Sequence, residues 1–207
     1  MPTKTVQPRP VGPVRLFHPP TRPACGGPEI WLPPEPEGWV VEPKYNGHRV
    51  VVDCENGGRL KNRHLEGYTF GFPPDGNTLV NQCRRKHIAF LDLEHMGSHR
   101  NKNHRNVGVI FDIYGVQSNT LERRQVLLQL GYPVHDPFSE DTLLDDPTSR
   151  FYIVPQYPAS CADELFHALQ LLPGEVFEGV VLKQIDNPYR TNRWIKFRFD
   201  QYASSTR

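Results

Sequence analysis

Apolar and polar positions alternate with a strand period along several short stretches of this chain, and with a helical period along only two. Residues 39–44 (Trp39-Val-Val-Glu-Pro-Lys44) and 48–53 (His48-Arg-Val-Val-Val-Asp53) read as two strands around a turn at Asn46-Gly47. Further strands are predicted over 58–62, 88–94, 107–114, 151–156, 176–183 and 193–199, where β-branched and aromatic residues dominate. A helix is predicted over 121–130, stopped by Gly131 with Pro133 beyond it. A second, over 162–172, sets Ala162, Leu165, Phe166, Leu169 and Leu172 on one face and ends at Pro173-Gly174. Ser160 with Asp163 resembles a capping box at its start. Many strands and few helices predict an α+β fold of antiparallel sheets flanked by helices, without internal repeats.

Composition divides the chain. Of its 207 residues, 21 are proline, and 11 of these fall within 1–37. Proline lacks the N–H that helices and inner strands use. Residues 1–37 therefore read as an extended arm and 38–207 as the folded domain. Arg9, Arg15 and Arg22 make the arm basic, which suits either a loose tail or a contact to a polyanion. The net charge of +1 shows no basic excess over the whole chain, so any nucleic-acid surface must be local. No apolar run approaches the ~20 residues of a membrane span. The proline-rich start also lacks the apolar core of a secretory signal. Cys25, Cys54, Cys83 and Cys161 are scattered and form no CxxC pair, so reduced thiols in a cytoplasmic setting are expected.

Four clusters carry candidate chemistry. Lys44 ends a strand beside Asn46-Gly47, which predicts a lysine exposed at a sheet rim; alone, it reads equally as a surface lysine beside a hairpin. Asp92 and Glu94 share one strand face with Leu91 and Leu93 on the other, an arrangement either solvated or paired and metal-bound. Glu178 and Lys183 flank an apolar strand core, and Lys196 and Arg198 share a strand face. Together these describe one pocket: a nucleophile (Lys44), further cations (Arg49, Lys183, Lys196, Arg198), carboxylates able to hold Mg²⁺ (Glu94, Glu178), and Phe111 to stack on a base. Lysine is a weak nucleophile at its free pKa of ~10.4. Neighbouring cations and desolvation free the amine, and the same cations offset charge on a phosphate under attack. The implied reaction is attack of lysine on a nucleotide α-phosphate, giving a lysyl–nucleotide adduct and pyrophosphate.

The order of these clusters resembles that of the covalent nucleotidyltransferases: ATP-dependent DNA ligases, RNA ligases and mRNA-capping guanylyltransferases. Lys44-Tyr-Asn46-Gly47-His-Arg49 is similar to their Lys-x-Asp-Gly-x-Arg motif, and Trp39–Lys44 resembles the lead-in of bacterial ATP-dependent DNA ligases. Asn62-Arg63 resembles their Ser-Arg segment, Phe90 to Glu94 their Asp-x-Glu motif, and Phe111-Asp112 their Phe-Asp strand, with Leu121-Glu-Arg123-Arg124 as the helix that follows. Glu178-Gly-Val-Val-Leu-Lys183 is close to their fourth motif; Tyr189-Arg190 and Trp194-Ile-Lys196-Phe-Arg198 resemble the last, with Arg198 in place of lysine. The resemblance spans about 31–199. It implies a ligase-type nucleotidyltransferase (adenylation) domain, ATP-grasp-like, using ATP and Mg²⁺. Lys44 would take AMP, Glu42 would meet the adenine edge, and Phe111 would stack on its face. Arg49 and Arg63 would hold ribose or the triphosphate tail. Glu94 would contact ribose or organise metal, Glu178 would bind metal, and Lys183 and Lys196 would contact the α-phosphate. Arg198 would be a weaker copy of its lysine counterpart, a planar fork in place of a point charge. Asn46 keeps hydrogen-bonding capacity but not the charge of the usual aspartate.

The substrate implied is nicked duplex DNA, with RNA or a hybrid as alternatives. Arg49, Asn62-Arg63 and the Trp194 motif favour DNA ligase over RNA ligase or capping enzyme. A non-enzymatic nucleic-acid-binding relic is the other class. DNA ligases usually continue into an OB domain that clamps DNA. The chain ends just past the last core motif, so the expectation is either a domain of a longer protein or a small monomeric ligase in which other surfaces, or a protein partner, hold the duplex. One such surface is the basic loop His95-Met-Gly-Ser-His99-Arg100-Asn-Lys102-Asn-His104-Arg105, to which Arg84-Arg85-Lys86 could add; its loosely spaced histidines make a poor zinc site. Neutralising Arg100, Lys102 and Arg105 together should weaken nick binding and flatten its salt dependence while leaving self-adenylation intact, as read by a salt titration of binding beside intact mass.

Overall fold

The computed structural model describes residues 32–33, 35–68, 73, 75–96, 106–114, 118–138, 150–172, 176–189 and 194–200. Most of the proline-rich arm and the basic loop with Arg100, Lys102 and Arg105 lie outside them. Among the described residues there are nine strands and three α-helices. The strands are β1 (Trp39–Tyr45), β2 (His48–Asp53), β3 (Arg59–Lys61), β4 (Phe90–Met96), β5 (Val107–Tyr114), β6 (Phe151–Ile153), β7 (Tyr157–Pro158), β8 (Phe177–Gln184) and β9 (Ile195–Arg198). The helices are α1 (Gly76–Arg85), α2 (Thr120–Leu128) and α3 (Ala162–Gln170).

The strands form two sheets, one in the order β7-β1-β8-β9 and one in the order β3-β2-β4-β5-β6. The fold is α+β as expected, with one parallel pair, β5 with β6, among otherwise antiparallel neighbours. A parallel pair needs a crossover rather than a tight turn, and α2 lies on the connection between these two strands.

The expected hairpin at Asn46-Gly47 is absent. β1 and β2 diverge there, β1 pairing with β7 and β8 while β2 pairs with β3 and β4. Packing overrides the local turn signal. A Cβ on Gly47 would lie 2.6 Å from the His95 carbonyl and 2.9 Å from the Met96 sulfur, so the crossing requires glycine. The helix expected over 121–130 is α2. Its cap is a capping box between Asn119 and Glu122, and Gly131 ends it at φ +80°. The helix expected over 162–172 is α3, but Cys161 stands at its N-cap and makes no side-chain cap bond, so Ser160 and Asp163 do not form the expected box. Helix α1 is not foreshadowed by periodicity. Its buried stripe is only Leu79, Val80 and Cys83 beside Gly76, among residues of modest helix propensity.

Two cores result. One packs α3 against β1, β8 and part of β5 through Val41, Leu165, Phe166, Val180 and Leu182. The other packs α1 and α2 against β2, β4 and β5 through Val50, Val52, Leu79, Leu91, Leu93 and Leu127. Each sheet carries one break in register, and both breaks face the candidate site. Lys44 pairs with Gly179 and Tyr45 with Phe177, which leaves Glu178 as an extra residue in β8. Asp92 pairs with Asp112 and Leu93 with Ile110, which leaves Phe111 as an extra residue in β5. Such bulges re-aim side chains. Gly179 sits at φ +148°, and a Cβ there would fall 1.8 Å from the Phe197 carbonyl oxygen. Gly179→Ala should therefore lose at least about 2 kcal/mol of stability, read as a lowered urea midpoint. Gly38→Ala, with nothing near its Cβ, should leave that midpoint unchanged.

Candidate active site

Strand alternation sends Val41 and Tyr45 of β1 into the core and leaves Glu42 and Lys44 on the opposite face. That face lines a cleft of about 610 Å³ whose walls come from both sheets. Asn46 lines it from the β1–β2 crossing, Arg49 from β2 and Arg63 from the turn after β3. Glu94 of β4, Phe111 of β5, Glu178 and Lys183 of β8, and Lys196 and Arg198 of β9 complete it. The bulge in β8 explains how Glu178 and Lys183, five positions apart, reach the same cleft. Of the expected site residues, only Arg100, Lys102 and Arg105 are not placed, since they lie outside the described residues.

Lys44 is not the exposed rim lysine that its sequence context predicts; its side chain is 15% exposed and its amine pairs with Glu178. Burial lowers its pKa from the ordinary 10.5 to about 8. Glu94 opposes that shift and Arg198 and Lys196 reinforce it. Burial also raises Glu94 to about 7, against the pull of Lys44 and of the Gly47 N–H, which donates to Glu94 Oε1 at 3.0 Å. Lys196 is lowered by burial and by Arg49 and Arg198 beside it. Six lysine and arginine side chains and three carboxylates line the cleft among the described residues.

Asp92 does not stand beside Glu94 as a second open carboxylate. It is fully buried and grips Arg49 in a two-point fork, Nε to Oδ1 at 2.9 Å and Nη2 to Oδ2 at 2.6 Å. The Tyr189 hydroxyl donates to Asp92 Oδ2 and accepts from Arg49 Nη2 at 2.6 Å. Burial works against the charge on Arg49, and the Asp92 contacts outweigh it, so its pKa is raised.

Lys183 is 1% exposed. Its Nζ meets Glu42 at 2.8 Å, the Phe111 carbonyl at 2.9 Å and Asp112 at 3.4 Å. The amine expected to contact phosphate is thus held by three protein acceptors. Glu42 is engaged on both sides, with Gln156 donating to its other oxygen at 2.7 Å. The Trp194 ring lies 4.3 Å from the Lys183 amine and edge-on to Phe111, so the aromatic wall is a pair. Sequence reasoning did not single out Asp92 as the holder of Arg49, or Gln156, or Tyr189 as a hydrogen-bonding group. For Asp92 and Tyr189 the signal was present in the Asp-x-Glu and Tyr189-Arg190 segments; for Gln156 there was none. The Arg84-Arg85-Lys86 run closes α1 and does not line the cleft; Arg84 Nε donates to the Cys54 carbonyl at 2.7 Å.

Among the described residues no group of three or more His, Cys, Asp or Glu gathers as a metal site. Glu94 and Glu178 nevertheless give the cleft two hard oxygen donors, the set that suits Mg²⁺ when a phosphate supplies further oxygens. Cys54, Cys83 and Cys161 are free thiols. No described helix is long and apolar enough to cross a membrane.

No protein-family model matches the chain, and no curated protein matches it in sequence. Its fold is similar to that of DNA-ligase domains. A structure of a Lig E DNA ligase, described as binding DNA with a minimal scaffold, gives a TM-score of 0.52 at 17% identity over 78% of this chain and 62% of that one. The ligase domain of M. tuberculosis LigD gives 0.50 at 18% identity over 77% and 53%. A chain named Pmar-Lig_PreS3 gives 0.54 at 17% identity over 79% and 43%. The chain therefore spans between 43% and 62% of the length of these structures.

The lowered pKa of Lys44 has a readable consequence. Between about pH 8 and the ordinary lysine value of 10.5, the unfolded chain holds a proton that the folded chain has lost, so this group adds stability as pH rises across that window. Mass mapping with an amine-selective acylating reagent should show Lys44 reaching half-maximal reactivity near pH 8, well below the ordinary lysine value of 10.5.

Proposed function

We propose that the chain is an ATP- and Mg²⁺-dependent polynucleotide ligase of DNA-ligase type that seals nicked duplex DNA. The supporting observation is Lys44 itself: an amine drawn down towards neutrality inside a cationic cleft with an aromatic wall. The motif resemblance and the likeness of fold point the same way. The nucleotidyltransferase, ATP-grasp-like reading of the fold belongs to this proposal.

Lys44 Nζ attacks the α-phosphorus of ATP. The N–P bond forms, the bond to the β-phosphate oxygen breaks, and pyrophosphate leaves. The amine's proton leaves by way of Glu178, already in contact with it, and passes on to solvent, which returns Glu178 to its carboxylate form. The adenine packs on Phe111, with the Glu42 carboxylate held still by Gln156 and Lys183. Arg49, locked by Asp92, and Lys196 and Arg198 face the phosphates. Glu94 and Glu178 are the donors that would hold Mg²⁺ beside phosphate oxygens, where it would offset their charge. AMP then passes to a 5′-phosphate, and a 3′-hydroxyl displaces it to close the strand.

Incubation with ATP and Mg²⁺ should add one AMP to the intact mass, and Lys44→Ala should abolish the gain. The same incubation with GTP should give no adduct. Sealing should be at least about tenfold faster on a DNA nick than on its RNA counterpart, a difference of about 1.4 kcal/mol in barrier. The reverse order identifies an RNA ligase. A folded protein that takes no AMP is a binding module, and the enzymatic reading fails.

A further inference from the structure

Cys54 and Cys83 meet in the core between β2 and α1, away from the cleft. Cys54 follows the last residue of β2, and Cys83 lies near the end of α1. Both are fully buried. The Cys83 thiol donates a hydrogen bond to the Cys54 sulfur, and the Cys54 thiol donates to the Val52 carbonyl at 3.7 Å. The bond between the thiols lowers the Cys54 pKa against the opposing effect of burial. The same bond raises Cys83, and burial raises it further. Two thiols in such contact have converging Cα–Cβ directions, the condition for bridging them without moving the backbone.

The surrounding backbone is fixed to match. The Cys54 N–H donates to the Ala89 carbonyl at 2.9 Å, and the Cys83 carbonyl accepts from the Ile88 N–H at 2.9 Å. Both residues are thus tied to the same short segment before β4. Arg84 Nε, beside Cys83, donates to the Cys54 carbonyl at 2.7 Å and joins α1 to the end of β2 next to the sulfurs. Packing alone asks for small apolar groups here, and alanine or valine would supply them. Neither would put two sulfurs in contact, and the cleft uses neither thiol. Access comes through α1. Asp75 at its N-cap makes no side-chain cap bond, and its buried stripe is short. Opening this helix locally therefore costs less than unfolding the domain.

We propose that Cys54 and Cys83 are a redox-active pair that closes to a disulfide and staples α1 to the end of β2. The oxidant is a low-molecular-weight disulfide. One protein thiolate attacks it, which forms a mixed disulfide and releases the first small thiol. The other protein thiolate attacks the protein sulfur of that mixed disulfide. The bond between Cys54 and Cys83 forms, and the second small thiol leaves. Two electrons pass from the pair to the reagent, and the two thiol protons end on the two released thiols. The staple lies outside the cleft and stands independently of the function proposed above.

The test incubates the folded, reduced chain in graded ratios of oxidised to reduced glutathione and quenches with acid. The remaining thiols are then labelled with a maleimide under denaturing conditions, and intact mass and peptide maps are read. The expected product yields Cys54 and Cys83 as one linked peptide pair, lighter by two hydrogen atoms, with Cys161 outside the link. The closed chain should melt roughly 5 °C or more above the reduced chain, because the bridge restricts the unfolded state. Dithiothreitol should return the midpoint to its starting value. The comparison uses one chain in two redox states, so it needs no variant to fold; Cys83→Ala, under the same oxidant, should show no rise. Failure to find the linked peptides overturns the proposal, as does glutathione left attached at Cys54 or Cys83 as the stable product. A linked chain whose midpoint does not rise overturns it too, since the bridge then strains the contact it should hold. A chain that closes the pair but takes no AMP supports the staple and counts only against the function proposed above.

Discussion

Among the described residues, the buried lysine Lys183 links the two sheets by charge across the core they share. Lys183 of β8 reaches Glu42 on β1 in its own sheet and Asp112 on β5 in the other, and Asp112 in turn holds Arg123 of α2 at 2.7 Å. Arg123 completes the chain by donating to the carbonyls of Ser118 and Asn187. Alternating groups whose partners are satisfied lower the cost of keeping four such side chains inside a small domain; losing one leaves its neighbour buried and uncompensated, at a cost of about 3–5 kcal/mol. The consequence is geometric. Because β1 and β8 are held against β5, Lys44 on one sheet and Arg49 on the other face a common cleft.

Most of the strands are legible from alternation, and 107–114 coincides with β5. The shared face of Asp92 and Glu94 is equally legible, since Leu91 and Leu93 are both core residues. What alternation cannot carry is register. A bulge belongs to two strands at once, and the signal lies in the partner. Phe111 and Glu178 occupy the bulge positions, so the residues most exposed to a shift in register are two that the site uses. Gly179 hints at the second bulge, because its backbone conformation excludes other residues. Nothing local hints at the first.

The Asn46-Gly47 dipeptide misleads for a related reason. Asn-Gly favours a two-residue hairpin when the flanking strands have no better partners. Here β8 and β4 are better partners, and the turn becomes the point at which the chain changes sheets. The same dipeptide then serves the site: the Asn46 N–H donates to the Val176 carbonyl, and the Gly47 N–H to Glu94. Gln156 marks the other limit of sequence reading. It supports Glu42 across 114 residues of chain, and no local pattern encodes such a contact.

Net charge also hides the site. A total of +1 is the sum of a surface of mixed sign and a cleft with twice as many lysines and arginines as carboxylates. Charges lining a concave, partly desolvated wall act on a ligand far more strongly than the same charges spread over the surface. Two of the cations are held so that they cannot relax onto solvent, Arg49 by the Asp92 fork and Lys183 by its three acceptors. Lys44 is the exception that gives the cleft its chemistry: the carboxylate it touches sits on a bulge, and burial has already brought its amine within reach of neutrality. The function proposed above draws on both features, a fixed ring of positive charge to hold a polyphosphate and one amine that can lose its proton to attack it, and the first depends on the charges that Asp92 and Glu42 hold in place.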